Sequence, residues 1–292
     1  MEPTGGSAAL REVVHDTLTA EFSVQTDGRP ATYPLTPFYD DDRDALFVTS
    51  APAFASKVEV ARRQPRVSLL LSDGDGSLHV EGKASVHDDD LYHNARYVRR
   101  LMEMEPDTHK RRVFRSTQNK MANPVGRLFL DWYGLRILVE IDPVETKAVD
   151  VSGDVAVPEW ETAEIDPSEA AKHERATLSY VADGAPWTAP VESIDVEGEH
   201  AVVDAAEVGP RRPEEGQACC VLLHWHSDDL TSLGQRLVRG RVVEAGDEVV
   251  VSVGSTFEMS NEGVLDFLRF VWEGKKATRE YFGESGLTGW TW

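Results

Sequence analysis

Two stretches of this chain repeat one another. Residues 27–35 read "DGRPATYPL" and residues 183–191 read "DGAPWTAPV". Asp27, Gly28, Pro30, Thr32 and Pro34 recur in order as Asp183, Gly184, Pro186, Thr188 and Pro190. Each copy follows a strand-like segment, "TAEFSVQT" or "ATLSYVA", and Asp-Gly between alternating strands is a hairpin signal because glycine takes positive φ freely. A second pair of blocks, "GSLHVEGKASVH" (76–87) and "GQRLVRGRVVE" (234–244), keeps nearly the same offset and aligns Gly82 with Gly240. One turn would mean little. Two correlated blocks mean duplication, so the chain must fold as two versions of one β unit.

The expected organisation follows. Residues 1–150 hold the first copy, 151–171 an acidic, proline-containing linker, and 172–292 a second, degenerate copy. "EFSVQT", "TYPLTPFY", "ALFVTS", "RVSLLLSD", "SLHVEGKASVH" and "RILVEIDPVETKAVD" alternate as strands do. "SKVEVARRQP" predicts a short helix stopped by Pro65, and a helical insertion is expected around 88–128. The linker closes with a short helix near 167–173. Val264, Leu265, Leu268, Val271 and Trp272 predict an amphipathic C-terminal helix. The fold class is mainly β with peripheral helices (α+β): two tandem split β-barrels forming a pseudo-dimer within one chain. Whether two chains associate further is open.

Charge narrows the partners. The net charge is −21, with 51 acidic residues against 22 arginines and eight lysines. Such a dispersed acidic surface is the profile of proteins from salt-loving microbes, and it disfavours nucleic acid. No apolar run long enough for a membrane span occurs, and the polar N-terminus lacks the apolar core of a secretory signal, so the cytoplasm is the expected compartment. Cys219 and Cys220 are adjacent, so in a strand they point to opposite faces; both are expected to be core thiols.

The ordered string "DGRPATYPL", "LFVTS", "SK", "RQPRVSLLL", "VEGKA" resembles the pyridoxamine 5′-phosphate oxidase-like FMN-binding split barrels over residues 15–90. The resemblance implies that Thr49, Ser50, Ser56 and Lys57 hold the phosphate and ribityl groups of FMN. It also implies that Tyr33, Pro34, Leu35 and Thr36 run along the isoalloxazine ring, which in this family sits between two barrels. The chemistry suits the residues, since a phosphate dianion needs charge-assisted donors. Tyr33, Phe38, Ser77 and His79 replace the arginine, lysine, glutamine and arginine of the biosynthetic oxidase, so a divergent flavoprotein is implied instead. The resemblance implies an FMN-dependent oxidoreductase passing hydride through flavin N5, acting on a small molecule. Alternatives on the same scaffold are a deazaflavin coenzyme, haem, or a binding module without turnover. The catalytic residues are unknown at this level, and no metal site is expected.

Three further features stand out. Residues 96–127 carry nine Arg or Lys against Glu103, Glu105 and Asp107, which suits either an anionic substrate or a solvated helix. "HWH" sets His224 and His226 on one strand face, without a third metal ligand at a persuasive spacing. "DWYG" (131–134) offers aromatics for a flavin ring or for the core. In the second copy "GPRRPEEG" replaces the Ser-Lys pair, so this copy is expected to have kept the barrel and lost the site.

Overall fold

The computed structural model describes residues 6–72, 77–106, 109–122, 124–149, 175–197, 200–205, 212–227, 230, 233–246, 248–260 and 263–287. The expected linker and its short helix lie outside these residues. The first half runs α1 (Gly6–Asp16), β1 (Ala20–Thr26), β2 (Arg29–Leu35), β3 (Pro37–Asp40), β4 (Ala45–Ser50), a 3-10 turn (Pro52–Phe54), α2 (Ser56–Arg63), β5 (Arg66–Ser72), β6 (Ser77–His87), α3 (Leu91–Met104), α4 (His109–Ala122), α5 (Pro124–Leu130), a second 3-10 turn (Trp132–Gly134) and β7 (Ile137–Val149). The second half is β8 (Arg175–Ala182), β9 (Ala185–Glu197), β10 (His200–Ala205), β11 (Ala218–His226), β12 (Leu233–Ala245), β13 (Val249–Ser260) and α6 (Val264–Ser285).

The first sheet has the order β2-β1-β5-β6-β7-β4-β3. Its outermost strands, β2 and β3, are separated in sequence by Thr36 alone. Opposite edges joined by one residue force the sheet to curl round on itself, and the seam of the curl falls at residues 33–37. The second sheet closes fully, in the order β10-β13-β12-β11-β8-β9. The architecture is therefore mainly β, with two curled antiparallel sheets and helices at their periphery.

The repeated residues do the same work twice. Asp27 and Gly28 (φ 51° and 75°) and Asp183 and Gly184 (φ 49° and 80°) turn the two hairpins with both central residues left-handed. Gly82 and Gly240 each sit at a register shift in the long strand, where a Cβ would collide with the neighbouring strand.

Each sheet encloses its own apolar core. Phe22, Leu46, Leu69 and Ile137 belong to the first, and Leu178, Val221, Val238 and Val251 to the second. Cys219 points into the second core and Cys220 out of it, toward the first half. Both thiols are free and buried. Between the halves lies a buried tetrad of hydroxyls built from repeat-related residues, Ser23 with Ser179 and Thr32 with Thr188. Ser23 Oγ lies 2.6 Å from Thr188 Oγ1, and Thr32 Oγ1 lies 2.6 Å from Ser179 Oγ. Ser23–Thr32 and Ser179–Thr188 close the ring at 2.7 and 3.1 Å. This arrangement is the local axis of an internal pseudo-twofold.

The C-terminal helix departs from its sequence reading. Val264, Leu265, Leu268 and Trp272 are exposed, and α6 instead buries Val271, Gly274, Thr278, Tyr281 and Phe282. Tyr281 and Phe282 enter the core of the first half. The helix crosses to the other copy, so the face that matters is set by a long-range partner and not by the stripe of largest residues.

Candidate functional site

The seam of the first sheet opens onto a cavity of about 560 Å³ between the two halves. Tyr33, Pro34, Leu35 and Thr36 form one wall, with Thr49 and Ser50 from the end of β4 and Lys57 from the first turn of α2. Seven of the eight sequence-predicted residues therefore share this space. Ser56 does not line it and is exposed. Adjacent helix positions point about 100° apart, so a helix that turns Lys57 inward turns Ser56 outward. Ser56 also fails to cap α2, whose N-cap residue is Ala55.

Lys57 is not a solvated helix lysine. It is buried, with Nζ 5.0 Å from the centre of the Tyr33 ring and 5.2 Å from that of Phe54. Its Nζ donates to the Phe54 carbonyl at 3.2 Å, and that oxygen also accepts from Ser50 Oγ at 3.1 Å. No carboxylate lies in ion-pair range of Lys57 among the described residues. Burial pushes its pKa down to about 7, because desolvation disfavours the charged form.

A second, half-buried cation lines the same cavity. Arg136, which leads into β7, donates to the carbonyls of Tyr133 and Leu135, and its guanidinium stacks 4.8 Å from the Tyr133 ring centre. Burial lowers its pKa from the ordinary arginine value. Arg99 of α3 adds a third positive group to the lining, against a single carboxylate, Asp131, which pairs with Lys275 of α6 at 3.3 Å. In a chain of net charge −21, three cations around one cavity give it a locally positive character.

The other walls are aromatic and come from distant segments. Phe38 and Phe114 pack together at 5.5 Å, and Phe54 stacks on Phe270 of α6 at 6.1 Å. Lys110 pins α4 over the cavity through bonds from Nζ to the carbonyls of Val14 (2.8 Å) and Pro37 (2.6 Å), with Glu105 3.2 Å away. The basic island thus divides: Arg99 faces the cavity, Lys110 is a buried pin, and Arg100 pairs with Asp42 on the surface at 2.8 Å. "DWYG" also divides, Trp132 filling the core while Tyr133 faces the cavity.

The second half supplies the far wall, with His224, Trp225 and His226 from β11 and Gln235 from β12. His224 is buried and bonds Glu21 of β1 across the interface at 2.8 Å. Sequence reading gave no role to Arg136 or Glu21; an arginine just before a strand and a glutamate inside one carry no local signal. Ser77 and His79 do not line the cavity. His79 stacks on Trp187 at 3.9 Å, and burial pushes its pKa down to about 3. Among the described residues there is no cluster of three metal-ligating side chains, and no helix is long and apolar enough to cross a membrane.

No protein-family model matches the chain, and no curated protein matches it. Solved structures similar to it include pyridoxamine 5′-phosphate oxidase-related and flavin-binding proteins, a protein of unknown function and a haem storage protein. A pyridoxamine 5′-phosphate oxidase-related, FMN-binding protein from Nostoc punctiforme is 14% identical, covering 65% of this chain and 98% of its own, with a TM-score of 0.34. A FAD-binding protein from Mesorhizobium loti is 21% identical over 49% of this chain and 91% of its own, at a TM-score of 0.30. HutZ, the haem storage protein from Vibrio cholerae, is 14% identical over 48% and 92%, at a TM-score of 0.31.

Proposed function

We propose that the chain binds FMN in the cavity between its two halves and works as a flavin-dependent oxidoreductase on a small, anionic substrate. The observation that carries this reading is Lys57, a buried ammonium group facing a cavity with no carboxylate partner among the described residues. A lone buried cation is costly unless a ligand supplies the counter-charge. The residues fit the cofactor. Lys57 and Arg136 provide charge-assisted donors for a phosphate, Thr49 supplies a hydroxyl beside them, and the backbone of Tyr33–Thr36 offers an edge for a planar ring. A volume of about 560 Å³ falls in the usual range for a cofactor-sized ligand.

Bound there, a flavin would supply two-electron transfer, leaving the protein to bind, orient and exclude water. The aromatic walls from α4 and α6 would shield the cavity from water, and Arg99, which is not needed for the phosphate, favours an anionic substrate. The haem alternative rests on His224 and His226 at the far wall, although Nε2 of His224 is already committed to Glu21.

Incubating the chain with FMN, desalting it and recording its visible spectrum tests the proposal. Retained flavin bands, at one equivalent or less per chain, are the expected result. A Soret band after exposure to haemin, with no flavin retained, would replace FMN by haem; retention of neither would leave the flavin reading without support.

A further inference from the structure

One polar pair, in which His224 lines the cavity and Glu21 does not, is not explained by the duplication. Glu21 and His224 are each 1% exposed, lie 203 residues apart in sequence, and meet with Oε1 2.8 Å from Nε2. Arg175 Nη1 stands 3.8 Å from the same oxygen. Glu21 Oε2 is buried without a hydrogen-bond partner among the described residues.

The repeat supplies an internal control. Glu21 pairs with Leu70 across β1 and β5, and Thr177 pairs with Leu222 across β8 and β11. These registers, with the 156-residue offset of Ser23 from Ser179, put Thr177 where the first copy has Glu21. They put Ser72 where the second copy has His224. A pair kept to hold the halves together would recur, as the hydroxyl tetrad does. This pair stands once, and its imidazole lines the cavity. Burying a carboxylate and an imidazole costs several kcal/mol of desolvation, and an unpaired oxygen repays it incompletely. With Nε2 turned to Glu21, Nδ1 is the ring nitrogen left to exchange a proton. The charged groups facing the imidazole are Glu21 from β1 and Arg175 from β8, and Lys57, Arg99, Arg136, Asp131 and His226 line the same cavity.

We propose that His224, positioned by Glu21, is the proton-transfer group of this site. The proposal rests on the flavin reading. In the oxidising direction an alcohol or amine substrate loses hydride from carbon to the flavin. Its O–H or N–H bond breaks as the C=O or C=N bond forms, and that proton passes to Nδ1 of His224. The imidazolium so formed is held by the Glu21 carboxylate, and the reverse reaction returns the proton to a carbonyl or imine.

The test uses the full chain loaded with FMN and reduced stepwise with dithionite over a series of pH values. The pH slope of the midpoint potential counts protons taken up per electron pair. On reduction the wild type is expected to take up one proton more than His224→Gln, and Glu21→Gln is expected to lose that difference, because the imidazolium loses the carboxylate that holds it. Imidazole ¹⁵N NMR on the unmutated protein reads the same event, with Nδ1 of His224 gaining a proton on reduction. Equal proton counts in wild type and His224→Gln, or an imidazole unchanged by reduction, would overturn the proposal while leaving flavin binding intact. Failure of the chain to take up FMN would overturn both.

Discussion

Among single residues, Lys57 is the one on which cofactor binding depends most in the proposed function. Its pKa of about 7 makes it a conditional anion receptor, charged below neutrality and largely neutral at pH 9. Binding a phosphate favours the charged form, so the pKa is higher in the complex than in the free protein. Linkage then fixes the sign: between the two values binding takes up a proton, and the dissociation constant for FMN rises with pH by up to about tenfold per unit. Lys57→Arg, whose guanidinium stays charged, is expected to flatten that rise above pH 7. Fluorescence titrations from pH 6.5 to 9 read both; affinity in the wild type that is flat or improves with pH contradicts the assignment. The local sequence alone suits a solvated helix lysine at position 57; only the ordered string of motifs that resembles the split-barrel family points Lys57 inward, where the cavity is. Ser56 stands outside the cavity because adjacency in sequence is not adjacency on a helix. Arg136, Glu21 and the inward turn of Tyr133 were invisible because their surroundings come from segments far along the chain.

At the scale of elements, Gly82 and Gly240 let the long strands β6 and β12 bend. A Cβ on Gly82 would stand 2.5 Å from Ile141 Cγ2 and 2.9 Å from the Asp142 carbonyl oxygen, and one on Gly240 would press on Val251 and the Ser252 backbone. Gly82→Ala and Gly240→Ala are each expected to cost about 1–3 kcal/mol, seen as a lower urea midpoint at unchanged slope. A neutral result at either position would separate the two copies in their mechanics. Helix α6 illustrates the limit of pattern reading. Its largest apolar residues suggested one face, but Trp132 and the first sheet accept another, through Gly274, Tyr281 and Phe282. Its existence could be read from periodicity; its docking could not. The hairpins, by contrast, were fully specified by Asp-Gly.

For the whole molecule, duplication is what turns one chain into a pseudo-dimer with a cavity at the junction. The four hydroxyls on the pseudo-twofold are completely buried and satisfy one another across it. Thr188→Val removes a donor and acceptor from this ring and is expected to destabilise the chain by about 1–3 kcal/mol. Combining it with Ser23→Ala should recover part of that loss, because the partner left unpaired is removed as well. Strictly additive losses in the double-mutant cycle would show that the ring does not couple the halves. The same symmetry predicts how many ligands the chain holds. The pseudo-twofold sets Ala189 where the first copy has Tyr33, and the second copy has no counterpart of the Ser-Lys pair, so a single site per chain follows.

Titration of the cofactor-free chain with FMN, run in parallel on wild type and Lys57→Ala and followed by quenching of flavin fluorescence, tests the central claim most directly. An endpoint of one FMN per chain is expected, with affinity falling about tenfold to a hundredfold on loss of the lysine, as for one charge-assisted hydrogen bond. Two equivalents per chain, or an affinity unchanged in Lys57→Ala, would contradict it.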